Sequence, residues 1–322
     1  MSQTEVINFD QNARILVLGH TGLVGSALLE TFREKGFTQV HGVSSLDVNL
    51  LNFDETLACF RRFDPQIVIL AAGKIGGIQA NILHPTEYLV ENLQIQLNAI
   101  HASHLANIPR LLFIASSSLY PAAAPQPLNV HSLWEGPLEP TLAAFGASKL
   151  LGVELVKSIR RQYKRDYITV IAANMYGPGD NFNLEKSHAL QALTRKIVSA
   201  HVQNESEVFL LGDGSPRREL LNTKDFAKAC LILLDKYHDE LPINVGPGEE
   251  ISIAQLADLI ANEVGYTGKI LWGSSAANGA DRRFLDSNKI KSLGWHPKSS
   301  LKSGVQDFVK FYLQSENLSE NR

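Results

Sequence analysis

Cysteine and long hydrophobic runs are both scarce in this sequence of 322 residues. Its two cysteines, Cys59 and Cys230, lie far apart and in no metal-ligand spacing, which argues against a disulfide scaffold and against a metal site. No apolar run approaches the roughly 20 residues that a membrane-spanning helix needs. The first residues lack the basic start and the apolar core of a secretory signal. We therefore expect a cytoplasmic protein that binds no metal and no membrane.

An excess of basic charge is absent as well. The formal net charge is −3, which argues against nucleic acid or an anionic membrane as a partner. Internal repeats and low-complexity linkers are also missing. The hydrophobic share of 44% and the charged share of 20% are ordinary for a globular enzyme. The chain is long enough for one large domain and a smaller one.

A glycine-rich turn near the N-terminus is the most informative segment. The apolar run Ile15–Leu18 has the length of a buried parallel strand, and an amphipathic helical pattern follows the turn. Gly19 permits the tight turn, Gly22 lets the backbone approach a pyrophosphate, and Gly25 lets the helix pack on the strand. The helix N-terminus then offers free N–H groups to the phosphates. A plain βα loop is the alternative, but the flanking elements favour a dinucleotide site, and the GxxGxxG spacing is similar to that of the short-chain dehydrogenases.

The end of the second predicted strand, residues 39–45, bears on the choice of cofactor. A residue at this place meets the adenosine ribose, and an acid there favours NAD. This sequence has Ser44 and Ser45, and its first acid is Asp47. Because two hydroxyls can donate hydrogen bonds to a 2′-phosphate, we predict NADP. Alternatively, the two serines only begin a turn.

Apolar strands alternate with helices through the first half of the chain. Strands are predicted at 15–18, 39–45, 66–72, 110–116 and 167–173, and helices between them. This alternation predicts an α/β fold, a Rossmann-type doubly wound parallel sheet. After residue 182 the alternation loosens. We therefore expect a dinucleotide-binding domain at 1–182 and, at 183–322, mainly a smaller α/β lobe for the substrate, with some segments returning to the first domain.

Five blocks of sequence resemble the extended short-chain dehydrogenases that act on nucleotide sugars, and most of all the GDP-L-fucose synthases. The blocks are GHTGLVGSA at 19–27, LAAGKIGGIQAN at 70–81, SSSLYP at 116–121, NMYGPGDNF at 174–182 and RRELLN at 217–222. The resemblance implies NADP as cofactor, a GDP-linked sugar as substrate, and a homodimer. The residues expected at the cofactor are Gly19, Thr21, Gly22, Leu23, Val24, Gly25, Ser44, Ser45, Leu70, Ala71, Ala72, Asn92, Lys149, Asn174 and Tyr176.

Two positions depart from the catalytic pattern of that family. In the family, a Ser and a Tyr hydrogen-bond the keto oxygen at sugar C4, the Tyr gives the proton, and a Lys lowers the pKa of the Tyr. Ser116 and Lys149 match the Ser and the Lys, whereas Phe145 stands at the Tyr position. The family also epimerises C3 and C5 with a Cys base and a His acid. Ser118 stands at the Cys position and is the second departure, whereas His188 matches the His.

These departures leave three readings open. The chain is an engineered variant, or a natural reductase that does not epimerise, or a binding protein without chemistry. A natural reductase would take its proton from Tyr120, His188 or water. We favour a reductase, because hydride transfer belongs to a cofactor whose site is intact in the sequence.

Two other functions on this fold compete with reduction. An epimerase or dehydratase is one, but a dehydratase needs an acid–base pair where this chain has Ser117 and Ser118. A dinucleotide-sensing regulator is the other, and it would need no clamp for a sugar diphosphate.

Two arginine pairs in the second half point to such a clamp. Arg217-Arg218 and Arg282-Arg283 carry guanidinium groups, which bind diphosphates bidentately, although both pairs also fit a solvated surface. The resemblance places the diphosphate at the second residue of each pair. Leu211 stands where the family commonly has an aromatic residue near the guanine, so the base stays open. The residues expected at the substrate are Asn181, His188, Lys196, Arg218 and Arg283.

Overall fold

The computed structural model describes residues 9–183, 187–275 and 278–320, with side chains to residue 314. Strands and helices alternate as far as β5 and follow less regularly after it. The strands are β1 (Ile15–Leu18), β2 (Val40–Val43), β3 (Ile67–Leu70), β4 (Arg110–Ser116), β5 (Asp166–Ala172), β6 (Asn174–Tyr176), β7 (Glu207–Leu210), β8 (Arg217–Arg218), β9 (Leu220–Asn222), β10 (Ile243–Val245), β11 (Ile251–Ser252), β12 (Lys269–Trp272) and β13 (Arg282–Arg283). The helices are α1 (Leu23–Glu34), α2 (Phe53–Phe63), α3 (Ile78–Leu83), α4 (Pro85–Leu105), α5 (Ala143–Tyr163), α6 (Ala189–Val202), α7 (Thr223–Lys236), α8 (Ile253–Val264), α9 (Asn288–Ser292) and α10 (Leu301–Glu320).

A six-stranded parallel sheet forms the centre of the larger lobe, in the order β10-β5-β4-β3-β1-β2. Every residue of β1 and β3 is buried, as expected for strands covered by helices on both faces. Helix α4 packs against both α2 and α5, and α1 packs against α7. The predicted α/β fold with a doubly wound parallel sheet is thus confirmed. The sheet has one strand more than the first half of the chain supplies, because β10 pairs with β5.

A second hydrophobic core holds the smaller lobe together. Helices α6, α8 and α10 pack around the parallel pair β7 and β12, with Ile197, Leu256 and Phe308 buried between them. The segment of α7 and β10 instead packs into the core of the larger lobe, through residues such as Phe226 and Val245. The chain therefore crosses back between the lobes. The division at residue 182 stays a prediction.

Three very short strands make a separate sheet beside the larger lobe. β8 pairs with β11 in antiparallel orientation and with β13 in parallel orientation, and the register sets Arg217 opposite Arg282 and Arg218 opposite Arg283. Strands of two residues carry no periodicity, so the sequence alone did not predict them. In the described ranges no helix has the length and apolar character needed to cross a membrane, and no cluster of His, Cys, Asp or Glu could hold a metal ion.

Candidate functional site

The glycine turn after β1 is closely packed on one side and open on the other. Gly19 has φ +85°, in the left-handed region, and a Cβ there would lie 2.9 Å from Cα of Ala72. A Cβ at Gly25 would lie 2.2 Å from the carbonyl oxygen of Gly19, so α1 needs glycine at this contact. At Gly22, by contrast, the nearest atom would be that same oxygen, 3.4 Å away.

Helix α1 begins directly after Gly22 without a side-chain cap and without an acidic residue in its first turn. Its first N–H groups and the positive end of its dipole are therefore available to an anion. Leu23 and Val24 are half-buried there, and Thr21 is exposed. The turn fits the pyrophosphate of a dinucleotide.

The end of β2 differs from the expectation of two free hydroxyls. The backbone N–H and the hydroxyl of Ser44 both donate to Oδ2 of Asp47, each over 2.8 Å. These hydrogen bonds hold the pKa of the Asp47 carboxyl below its usual value. Ser44 is buried and Ser45 is exposed, so Ser45 is the hydroxyl of this pair that faces solvent. The turn thus brings Asp47, the first acid after this strand, back to Ser44 at the end of β2.

Two of the side chains expected at the cofactor already have partners within the protein. Asn92 is buried, and its amide donates to the carbonyl oxygens of Tyr88 and Lys74 and accepts from the N–H of Lys74. The Tyr176 ring packs edge-on against Phe308 in the core of the smaller lobe. Asn92 therefore holds the loop after β3, and the Tyr176 ring contributes to a core, while a cofactor contact by either residue stays a prediction. Leu70 ends β3, and Ala71 and Ala72 follow it beside the end of β1 and the glycine turn.

The residues expected to act on the keto group surround the carboxyl end of β4. Ser116 is its last residue, and Ser118 follows in a 3₁₀ turn, Ser117–Leu119. The hydroxyl of Ser118 donates to Oγ of Ser116 over 3.2 Å. Phe145 and Lys149 lie one turn apart on α5, and both are buried.

Lys149 is a buried cation with few partners. Its Nζ lies 3.4 Å from the carbonyl oxygen of Ile114 and 5.2 Å from the centre of the Phe113 ring. Burial lowers the pKa of Lys149 to about 8, because the low-dielectric surroundings disfavour the charged form. Such a group holds its proton weakly and can bind an added polar group such as a ribose hydroxyl.

The two side chains named as alternative proton donors differ in access. Tyr120 is fully buried, its hydroxyl donates to Oδ1 of Asn244 over 2.7 Å, and burial raises its pKa. It does not reach the cleft, so the structure excludes it as the donor. His188 is exposed just before α6 and lines the cleft, and desolvation by the surrounding walls lowers its pKa.

A cleft of about 460 Å³ lies between the two lobes and collects most of the remaining predicted residues. Its lining includes Gly76, Gly77, Ile78 and Gln79, which the sequence analysis did not single out. The predicted residues in its lining are Ser116, Ser118, Phe145, Asn174, His188, Lys196, Arg218 and Arg283. The remaining predicted substrate residue, Asn181, is exposed and not part of this lining, and its side chain accepts from the N–H of Asn183.

The register of β8 and β13 divides the two arginine pairs. Because successive side chains on a strand point to opposite faces, the two members of each pair separate. Arg217 and Arg282 both pair with Glu250, over 2.8 and 2.7 Å. Arg218 and Arg283 line the cleft. The second residue of each pair, which is the one expected at the diphosphate, therefore faces the cleft, and the first residue of each pair does not.

The two cleft arginines are close enough for the charge of one to affect the other, and neither has an ion-pair partner in the described ranges. Burial, and next the charge of Arg283, lower the pKa of Arg218 to about 10. Nη1 of Arg283 donates to the carbonyl oxygen of Ser117 over 2.7 Å, while its buried Nη2 has no hydrogen-bond partner among the described residues. Glu139 lines the same cleft, and its negative charge partly opposes the lowering of both arginine pKa values, while its two oxygens accept hydrogen bonds from the backbone N–H and the hydroxyl of Thr141. This cation pair fits a polyvalent anion such as a diphosphate.

Comparison with known proteins agrees with this site. The sequence profile of the NAD dependent epimerase/dehydratase family matches residues 15–246. GDP-L-fucose synthase 1 of Arabidopsis thaliana is 40% identical over 306 residues, which cover 95% of this chain and 95% of that protein. A GDP-6-OMe-4-keto-L-xylo-heptose reductase from C. jejuni has a TM-score of 0.88 at 29% identity and covers 95% of this chain and 99% of its own. A GDP-mannoheptose C4 reductase from Campylobacter jejuni with NADP bound has a TM-score of 0.85 at 30% identity, over 95% of this chain and 100% of its own. The chain belongs to the NAD dependent epimerase/dehydratase family and, within it, to the group of the GDP-L-fucose synthases.

Proposed function

We propose that this protein reduces the C4 keto group of a GDP-linked 4-keto-6-deoxy sugar with NADPH. One observation carries the proposal: a single cleft is lined by Ser116 and by both Arg218 and Arg283. A nucleotide sugar needs both, one for the sugar carbonyl and one for the diphosphate. The relatives named as GDP-sugar synthases and C4 reductases, one of them with NADP bound, support the same chemistry.

The residues at the carboxyl end of the sheet fit NADP. The uncapped start of α1 would take the pyrophosphate, since Gly22 leaves room beside it. Ser45 lies where the 2′-phosphate is expected, and Lys149 would bind the nicotinamide ribose. When bound, the reduced cofactor supplies the hydride.

Each side chain in the cleft then has a defined task. Ser116 donates a hydrogen bond to the keto oxygen, which polarises the carbonyl and holds it in place. Arg218 and Arg283 bind the diphosphate and fix the distance of the sugar from Ser116. Phe145, buried against Ala80 and Tyr88, forms part of the apolar wall of the cleft.

We infer that C3 and C5 keep their configuration in this reaction. Epimerisation needs a base that removes a proton from carbon, and a serine hydroxyl forms no usable anion near neutral pH. Ser118 in addition directs its hydroxyl to Ser116. His188 can serve as the acid that returns a proton to the carbon, but without a base that removes the first proton it cannot invert C3 or C5.

We also propose a homodimer in the cytoplasm. Helices α4 and α5 pack side by side, and apolar side chains on their outer surface are exposed: Val90 and Leu97 on α4, and Leu151 on α5. Two copies that join these faces would build a four-helix interface. Both cysteines are free and buried, which suits a reducing compartment.

The experiment that tests the function follows NADPH oxidation by absorbance with a GDP-4-keto-6-deoxy sugar as substrate, and identifies the product by NMR. We expect loss of NADPH and a single C4 alcohol whose C3 and C5 configuration matches the substrate. A dTDP- or UDP-linked keto sugar serves as the control for the nucleotide. The absence of NADPH oxidation with the GDP-linked substrate would reject the proposal.

A further inference from the structure

The hydroxyls of Ser116 and Ser118 are hydrogen-bonded to each other at the end of β4. Oγ of Ser116 accepts two hydrogen bonds from Ser118, one from the backbone N–H over 3.3 Å and one from the hydroxyl over 3.2 Å. A serine hydroxyl has one hydrogen to donate and two lone pairs that accept. Both lone pairs of Ser116 are therefore occupied, so its own hydrogen must point away from Ser118. Because Ser116 lines the cleft, that direction leads to the substrate.

The turn that carries Ser118 is fixed from two sides. The carbonyl oxygen of Ser117 accepts from Nη1 of Arg283 over 2.7 Å. On the other side α5 is pressed against the turn, since a Cβ at Gly146 would lie 2.5 Å from the carbonyl oxygen of Ser118. Ser118 itself is 5% exposed. The hydrogen-bond pair is therefore held by its surroundings and does not depend on a mobile loop.

We propose that Ser118 is a positioning residue for the reduction: it orients the hydroxyl of Ser116 toward the keto oxygen and replaces the proton that Ser116 gives up. This inference rests on the proposed function. It accounts for two unusual positions together, since Phe145 has no proton to give and Ser118 supplies a path for one. It also gives Ser118 a task in reduction instead of the task of a carbon base.

The step balances as follows. The keto carbon receives a hydride with its electron pair from NADPH, and the π electrons of the carbonyl move to the oxygen. That oxygen takes the hydrogen of Ser116 as a proton, and Oγ of Ser116 takes the hydrogen of Ser118. Oγ of Ser118 is reprotonated by solvent in the cleft. Solvent thus supplies the one proton that the overall reaction consumes, and both serines return to their starting state.

The chain offers a matched pair of variants. Ser118→Ala removes the second hydroxyl and nothing else. Ser103→Ala removes a fully buried hydroxyl whose hydrogen bond, to the carbonyl oxygen of Ala99, lies within α4 and away from the cleft. Thermal unfolding of both variants and the dissociation constant for the GDP-sugar, measured by calorimetry, show whether fold and binding are retained.

Single-turnover NADPH oxidation in mixtures of H₂O and D₂O is the decisive measurement. For the unaltered protein we expect a curved dependence of the rate on the deuterium fraction, because two protons move together. Ser118→Ala should lower the rate about 10-fold or more, at the low end of what acid catalysis supplies. Its dependence on the deuterium fraction should be linear, and the dissociation constant should stay within two-fold. Ser103→Ala should match the unaltered protein.

Two results would overturn the inference: a linear dependence in the unaltered protein, or an unchanged rate in Ser118→Ala. The first needs no variant, so the inference remains falsifiable even if Ser118→Ala fails to fold. Failure of the proposed function is recognised separately: the unaltered protein would then oxidise no NADPH with the GDP-linked substrate.

Discussion

The ammonium nitrogen of Lys149 lies 5.7 Å from the centre of the Phe145 ring, one helical turn away on α5. Lys149 therefore faces an aromatic ring where the family, by resemblance, has a phenol. The cation that would lower the pKa of a tyrosine is retained, while the hydroxyl on which it would act is missing. This relationship makes the effect of restoring that hydroxyl predictable.

Phe145→Tyr should raise the rate of C4 reduction by about 10-fold or more, since a positioned general acid supplies roughly 10² to 10⁴. The two side chains share a ring, so the exchange adds one oxygen, and Phe145 borders the cleft, where that oxygen has room. The measurement is the initial rate of NADPH oxidation at saturating substrate.

Phe113→Tyr is the control for this exchange, since that ring also lies beside Lys149 but does not line the cleft. It should bring no gain in rate. An equal or slower rate in Phe145→Tyr would show that the chain has a sufficient donor of its own and is not limited by the missing phenol.

Lys149→Met should stabilise the cofactor-free protein at pH 7. Burial lowers the pKa of Lys149 from an ordinary 10.5 to about 8. At 1.36 kcal/mol per pKa unit, the buried charge lowers the free energy of unfolding at pH 7 by about 3 kcal/mol. Methionine has a similar shape and no charge to desolvate. The free energy of unfolding from urea denaturation, with Lys302→Met on α10 as an exposed control, measures the gain.

The pH dependence of that gain has a definite sign. Between pH 8 and 10.5 the unfolded chain keeps the Lys149 proton while the native chain has lost it, so the native protein gains stability as the pH rises. The advantage of Lys149→Met should therefore be complete below pH 8 and vanish above pH 10.5. If the difference in free energy of unfolding between Lys149→Met and the unaltered protein stayed constant over this pH range, the destabilisation would not come from a buried charge.

The sequence predicted what depends on local pattern and did not predict what depends on contacts across the fold. The strand Ile15–Leu18 and the glycines after it follow from burial and backbone geometry, both of which leave a clear pattern. The different surroundings of Arg217 and Arg218 depend on strands of two residues and on Glu250, 32 residues after Arg218, so no local pattern reveals them.

The same limit applies to Asn92 and Tyr176, whose place at the cofactor stays a prediction. Asn92 and Tyr176 are polar side chains next to the cofactor-binding elements, and position along the chain made them candidates. Only the folded chain shows that the Asn92 amide donates to the carbonyl oxygen of Tyr88 and that the Tyr176 ring packs against Phe308. Polar residues near a site are predicted more easily than the direction in which their side chains point.

Asp47→Asn should increase the affinity for NADPH about three-fold and leave the affinity for NADH nearly unchanged, since an exposed charge acts weakly through water. The carboxylate lies beside Ser44, at the end of β2 where a 2′-phosphate is expected. An asparagine keeps an oxygen acceptor for Ser44 while it removes the repulsion. Asp54→Asn, at the exposed start of α2, is the control. Fluorescence titration gives all dissociation constants, and tighter binding of NADH than of NADPH by the unaltered protein would reject the predicted cofactor.

Leu97→Lys should convert the proposed dimer into a monomer. Leu97 is 48% exposed in the centre of α4, and a charge there would have to be desolvated at the four-helix interface. Val202→Lys, on α6 in the smaller lobe, places the same charge on an apolar residue of similar exposure and should remain dimeric. Light scattering measures both masses. A monomeric mass for the unaltered protein would refute the dimer.

Arg218→Ala and Arg217→Ala should differ strongly, although the two residues are neighbours. Arg218 is half-buried in the cleft, and loss of a buried bidentate contact to a diphosphate costs about 2–5 kcal/mol, or roughly 30- to 5,000-fold in affinity. Arg217 pairs with Glu250 on the other face of β8, where a half-exposed ion pair is worth at most about 1 kcal/mol. Its removal should leave the affinity for the GDP-sugar within about three-fold.

Calorimetric titration with GDP-mannose, which carries the diphosphate without a keto group, measures this binding apart from the reaction. The dissociation constant for NADPH should stay the same in both variants, because neither arginine lies at the glycine turn. Equal losses of GDP-mannose affinity in Arg217→Ala and Arg218→Ala would mean that the clamp depends on the intact three-stranded sheet and not on the side chain in the cleft. Unchanged affinity in Arg218→Ala would remove the diphosphate from this part of the cleft.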